Sequence, residues 1–214
     1  MNLVENTPLF HGSYMVVSDP QADYDPDDSA KSKRKSRSNN SKDNESEDIK
    51  TSDFGKGFYL TDSRKHAREW AKVKGRGAGS AIGYVSEFRL TKNIVPSAGI
   101  KIFDGYSEEW LKYIMDCRMG RATKHYGLVI GYVADARTYR LIRSYERNLF
   151  YEDKSRGEYV NFRRLKPAEK KSELLRLISG FEESFIQLCF KEQKFIEDYL
   201  EYKEPYKYFV NARN

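Results

Sequence analysis

His11-Gly12-Ser13 and the run from Asp53 to Asp62, DFGKGFYLTD, decide how this chain is read. Leu9-Phe10 leads into the first as a short strand, with Gly12 at a tight position and Tyr14 to Val17 as a second extended piece. In the second, Phe58-Tyr59-Leu60 reads as a short strand, and Gly55 and Gly57 let the backbone turn sharply beneath a ligand. Asp62 or Ser63 caps a helix running to about Lys74, with Ala67, Trp70, Ala71 and Lys74 along one side. Trp70 stands eleven positions after Tyr59. A tyrosine on a strand and a tryptophan on the next helix can hold a planar ring between them, which suits a pyridinium. Gly12 permits close backbone approach to a flat ligand, Ser13 offers a hydroxyl to an amide, and His11 offers a ring nitrogen to a ribose hydroxyl.

Outward from these stretches, GRGAGSAIG (75–83) reads as a flexible turn, and Tyr84 to Leu90 as a strand answered by Ile94-Val95 and Ile100 to Phe103. Ser107-Glu108-Glu109-Trp110 is a helix start with carboxylates in its first turn. Leu128 to Ala134 is a continuous apolar run, expected as a central strand. Residues 148–151 and 158–162 suit a hairpin, and Pro167 opens a helix to about Ile178. Ser184 to Phe190 (SFIQLCF) is a strand, followed by a closing helix over about 191–201. No βαβ rhythm appears, so the fold class is α+β and a doubly wound parallel sheet is not expected.

Residues 20–52 differ from their surroundings, with eight acidic and seven basic side chains and only Tyr24 and Ile49 as bulky apolar residues. Such a stretch cannot bury enough surface to offset its ordering entropy, so it is expected as a polar, mobile insertion in a single domain spanning 1–214. Elsewhere the aromatic content, 14% of the chain, belongs to a packed protein. The net charge of +6 is compatible with an acidic partner without requiring one. Cys117 and Cys189 sit in apolar runs without metal-ligand spacing, so no metal site is expected and two buried free thiols in a reducing cytoplasm are. No signal-peptide pattern or membrane-length apolar run is present.

The combination of HGS, FGKGFYLTD and an aromatic residue eleven beyond the tyrosine resembles the ADP-ribosyltransferase superfamily, in its diphtheria-toxin and poly(ADP-ribose)-polymerase branch. The pattern is similar still more closely to a bacterial family of unknown function in that superfamily, through HGS, DFGKGFYLTD, Glu108 to Arg118, VIGYVAD (129–135) and the QLCF strand (187–190). The resemblance spans nearly the whole chain outside 20–52. It implies two small, mostly antiparallel sheets around an NAD cleft with flanking helices. It also implies that NAD is a co-substrate held by His11, Gly12, Ser13, Gly57, Tyr59 and Trp70. His11 would contact the ribose, Gly12 would read the nicotinamide amide through its backbone, and Tyr59 and Trp70 would take the two ring faces.

The superfamily's third element is a glutamate at the start of a late strand, and Gln187 stands at the matching position here. A glutamine keeps a hydrogen bond to the ribose but supplies neither negative charge nor a general base. With His11, Tyr59 and Gln187 as the catalytic candidates, the resemblance implies mono-ADP-ribosylation of a protein or nucleic-acid acceptor rather than polymer formation. It further suggests a toxin-like or defence setting in the bacterial cytoplasm, with an antitoxin partner. The rival readings are an RNA 2′-phosphotransferase-like enzyme, whose basic pattern is not found here, and a non-catalytic NAD or ADP-ribose binding module. Asp135 suits a carboxylate supporting the site or facing the acceptor, and equally a loop cap, whereas His66 and His125 read as surface residues and Glu182-Glu183 as a solvated helix end.

Overall fold

The computed structural model describes residues 3–22, 52–118, 120–121, 123–134, 136–154, 156–180 and 185–210. Most of the expected insertion (23–51), Asp135 and the Glu182-Glu183 pair lie outside the described residues.

The strands are β1 (Pro8–Ser13), β2 (Phe58–Thr61), β3 (Ile82–Leu90), β4 (Ile100–Ile102), β5 (Leu128–Tyr132), β6 (Phe150–Asp153), β7 (Glu158–Asn161), β8 (Ile186–Phe190) and β9 (Leu200–Phe209). The helices are α1 (Arg64–Ala78), α2 (Glu108–Arg118), α3 (Ala136–Glu146), α4 (Pro167–Ser179) and α5 (Gln193–Tyr199). The fold is α+β, with a seven-stranded mixed sheet in the order β4-β5-β8-β2-β1-β3-β9 and a separate β6-β7 hairpin. Only β4 and β5 pair in parallel. In place of two comparable small sheets, one sheet runs through both halves. Its two halves meet at β1 and β2, whose register rests on the single pair Phe10↔Thr61.

Alternation along the inner strands builds a core on each face. Leu128, Ile130, Leu188 and Phe190 join Leu9, Phe58, Leu60 and Phe88 on one side. Val129 and Cys189 face Phe54, Trp110, Ile114, Leu141, Phe162 and Leu174 on the other. Because both faces are covered, β5 reads as an unbroken apolar run.

α1 is longer than its sequence suggests. Ser63 caps it by accepting the His66 N–H, and it continues through Gly75 and Gly77 to a left-handed cap at Gly79, φ 69°. The stretch 75–83, expected as a turn, is therefore helix end and strand start. The reason is packing. A Cβ at Gly75 would lie 2.6 Å from Val210 Cγ2, and one at Gly83 would lie 2.5 Å from the Ala71 carbonyl oxygen. These glycines let α1 lie directly on the sheet, and burial outweighs their weak helix preference.

Two further expectations change. Ile94-Val95 forms no strand, and β4 pairs with β5 instead of answering β3. The closing helix stops at Tyr199, and the chain turns into β9, an edge strand paired with β3 along its whole length. Pro205 and the charged residues Glu201, Lys203, Glu204 and Lys207 suit an edge exposed to solvent. α3, which follows the long apolar run, has no counterpart in the expected elements. Among the described residues no helix is long and apolar enough to cross a membrane.

Candidate functional site

His11 lies where β1 and β2 part. Beyond Phe10↔Thr61 no backbone register joins these strands, and His11 Nδ1 stands 2.8 Å from the Tyr59 carbonyl oxygen. A carbonyl can only accept, so Nδ1 carries the proton and Nε2 is the acceptor nitrogen of the neutral ring. Burial pulls the ring's pKa down to about 4; the Tyr59 hydrogen bond opposes that pull and Lys74 adds to it. The imidazole is therefore neutral at pH 7. It packs against Phe58 with ring centroids 4.7 Å apart.

Strand alternation separates the residues of the HGS motif. Gly12 sits with Phe10 beneath α1, where an added Cβ would lie 2.0 Å from the Ala67 carbonyl oxygen. Helix packing thus accounts for the glycine without a ligand. His11 and Ser13 alternate to the opposite side of β1, and both are buried.

Tyr59 follows Phe58 in β2 and packs on the other face, against the cluster holding Phe54 and Cys189. Its hydroxyl donates to the Gly55 carbonyl at 2.6 Å and accepts the Phe54 N–H at 3.0 Å. Burial, reinforced by Cys189, pushes the phenol well above its ordinary pKa, so it stays protonated. Tyr59 thereby closes the 53–57 turn. Gly57 presses this turn onto β8, because a Cβ there would meet Cys189 Sγ at 2.6 Å and the Phe190 carbonyl at 2.7 Å.

Trp70 stands on α1 with 47% of its surface exposed. The Lys74 ammonium lies 5.5 Å from its ring centroid, and His66 approaches it edge-on at 6.5 Å. His66 in turn stacks on Phe185 at 5.2 Å. Among the described residues no direct ring contact joins Tyr59 and Trp70.

Gln187 is buried in β8, and its amide Nε2 donates to Asp53 Oδ2 at 2.9 Å. The same carboxylate oxygen accepts the Ala134 N–H at 2.8 Å. Its other oxygen takes Arg118 Nε at 2.9 Å and a second guanidinium N–H, and Arg118 also donates to the Ala134 carbonyl at 3.2 Å. Asp53 thus joins four stretches: the turn before β2, the end of α2, the residues after β5, and β8. Four donors satisfy a charge that would otherwise be costly to bury. This hub escaped the sequence reading, although Asp53 opens DFGKGFYLTD and Arg118 closes the Glu108-to-Arg118 stretch. Each lies in a motif, but nothing in one dimension says that they touch.

Residues 39–202 match the profile of a family described as a protein of unknown function, DUF3990. The chain belongs to the DUF3990 family. The matched part of this family member takes in Asp53, Tyr59, Trp70, Arg118 and Gln187, and starts beyond His11-Gly12-Ser13. No curated protein and no solved structure matches the chain. Among the described residues no cluster of His, Cys, Asp or Glu could hold a metal ion, and Cys117 and Cys189 are buried thiols outside any disulfide.

Proposed function

We propose that this domain has an ADP-ribosyltransferase-like arrangement, binds NAD, and transfers a single ADP-ribose to a protein or nucleic-acid acceptor. The observation that carries the reading is His11. It is a neutral imidazole held by the Tyr59 carbonyl where β1 and β2 part, with Nε2 as its acceptor nitrogen, the atom this reading assigns to a ribose hydroxyl. Trp70 adds a half-exposed indole one helix away, able to take a face of nicotinamide. In the transfer, the bond between ribose C1′ and the nicotinamide nitrogen breaks with its electron pair leaving on nicotinamide. The acceptor's nucleophile then bonds to C1′ and gives its proton to a base. Gln187 supplies neither charge nor base, so that base belongs to the acceptor or to another residue. A bacterial cytoplasmic setting with an antitoxin partner is the biological context that the sequence resemblance suggests.

A binding-only module is the second reading, and the Gln187–Asp53 hydrogen bond favours it, because it commits the glutamine amide to the hub. NAD labelled on the adenylate part, incubated with the protein and cell lysate, separates the readings. Label on macromolecule that resists nuclease or protease treatment identifies transfer and its acceptor class. Saturable binding without turnover identifies the module. Label on a phosphate product, or no NAD binding at all, would sink the proposal.

A further inference from the structure

A cavity of about 530 Å³ opens at the end of the sheet where β2 begins and β8 ends, lined by Gln21, Ala22, Lys56, His125, Lys191 and Gln193. It is separate from the Gln187 hub. Leu188, Cys189 and Phe190 of β8 stand between Gln187 and Lys191, about 13 Å over four steps of extended strand. Lys56 is the middle residue of Gly55-Lys56-Gly57, a turn from which the candidate NAD site takes Gly57 and leaves the lysine unused.

The turn places Lys56 on the lining of this cavity together with Lys191. Gly55 has φ 83°, and the place its Cβ would take lies 3.5 Å from Lys191 Nζ. The Lys191 ammonium therefore lies in van der Waals reach of this turn. Lys191 donates to the Tyr113 hydroxyl at 3.3 Å, which leaves further N–H donors to turn elsewhere. Among the described residues neither Lys56 nor Lys191 has a carboxylate within ion-pair distance. The neighbouring acid, Glu192, is engaged by His125 at 2.7 Å and by Lys194 at 2.7 Å. The opposite wall is fixed too. Gln193 accepts the Ala22 N–H at 3.1 Å and donates to the Pro20 carbonyl at 3.4 Å, tying 20–22 to the start of α5.

We propose that this cavity is a phosphate site, with Lys56 and Lys191 as its paired cations and room beside them for a small organic body. Two uncompensated ammonium groups match the double charge of a phosphomonoester better than the single charge of a carboxylate. The volume falls in the range of small-ligand sites and exceeds what a bare phosphate needs. The inference does not rest on the NAD reading.

Titration calorimetry at low salt with a nucleoside 5′-monophosphate, the parent nucleoside and inorganic phosphate tests it. The monophosphate and inorganic phosphate should bind, and the nucleoside should not. Lys56→Gln, on an exposed side chain, should weaken monophosphate binding by about tenfold or more. Lys191→Gln should do the same with a native circular dichroism spectrum. Lys203→Gln, on the edge strand β9 where it pairs with Glu201 and outside the cavity lining, should bind as the parent does. Displacement of the monophosphate by NAD would identify NAD's own pyrophosphate as the source, and its absence a separate phosphate ligand; either result supports the site. No binding at millimolar monophosphate, or parent-like binding by Lys56→Gln, overturns it.

Discussion

Gln187→Glu is the most informative single change in this protein. It would place a second carboxylate within hydrogen-bond distance of Asp53, where the glutamine amide now donates at 2.9 Å. Two like charges about 4 Å apart repel by roughly 4 kcal/mol at an effective dielectric constant near 20. The new side chain can escape that cost by taking up a proton. From an unfolded-state pKa of about 4.3, holding a glutamic acid protonated costs roughly 3.5 kcal/mol at pH 7 and about 1 kcal/mol at pH 5. The folded pKa is raised, so the deficit is absent below the unfolded pKa and grows as pH rises. Urea unfolding followed by circular dichroism should therefore show Gln187→Glu far less stable than the parent at pH 7 and nearly level with it at pH 5. Adding Asp53→Asn should remove the pH-dependent part, since only one carboxylate remains beside Arg118. A Gln187→Glu protein as stable as the parent at both pH values would refute the hub. So would one that gains transferase activity without losing stability.

Three further outcomes follow from the site. Since the His11 pKa is lowered to about 4 against about 6.5 unfolded, the neutral ring's contribution is present above pH 6.5 and lost as pH falls towards 4. The parent should lose up to about 3 kcal/mol over that window, and His11→Gln should lack this slope in the same unfolding titration. Gly12→Ala should destabilise by more than about 2 kcal/mol in thermal melts, because its methyl would meet the Ala67 carbonyl at 2.0 Å, and an unchanged melting temperature would show that α1 can shift. Trp110 is fully buried, whereas Trp70 is half-exposed, so acrylamide should quench chiefly Trp70. Trp70→Ala should change stability by less than about 0.5 kcal/mol, and weaken NAD binding by about 1–3 kcal/mol if the indole stacks on nicotinamide.

The sequence was most legible where local chemistry and tertiary packing agree. Ser63, Ser107 and Pro167 start helices in the way their types dictate, and β5 is buried on both faces as an unbroken apolar run must be. It misled where packing overrode propensity. Gly75 and Gly83 look like loop residues, yet they mark where a helix backbone lies against a sheet. β9 was hidden because its alternating Tyr202, Tyr206 and Tyr208 are interrupted by charges and Pro205, which an edge strand tolerates. In the site, the strand position of His11 was readable from HGS, but its tautomer and lowered pKa depend on a carbonyl 48 residues away. Against the glutamate that the resemblance leads one to expect, glutamine at position 187 reads as a loss of chemistry. It is also a fit, because the residue faces a carboxylate that no single motif reveals as its neighbour.

That neighbour gives the segment 53–59 two structural tasks at once. Asp53 anchors one end to Arg118, Ala134 and Gln187, while the Tyr59 hydroxyl holds Phe54 and Gly55 from the other. Between these clamps the only side chain turned to solvent is Lys56, since Gly55 and Gly57 have none and Phe54 and Phe58 are buried. A turn held by four donors to one carboxylate and two bonds to one phenol has little freedom to wander. The backbone position of Lys56 on the cavity lining is then a property of the fold, and a cation carried on a fixed turn loses less entropy when it meets an anion. The same clamps carry the Tyr59 carbonyl that orients His11. One buried aspartate therefore underlies both the candidate NAD site and the basic cavity, although neither is in contact with it through His11 or Lys56.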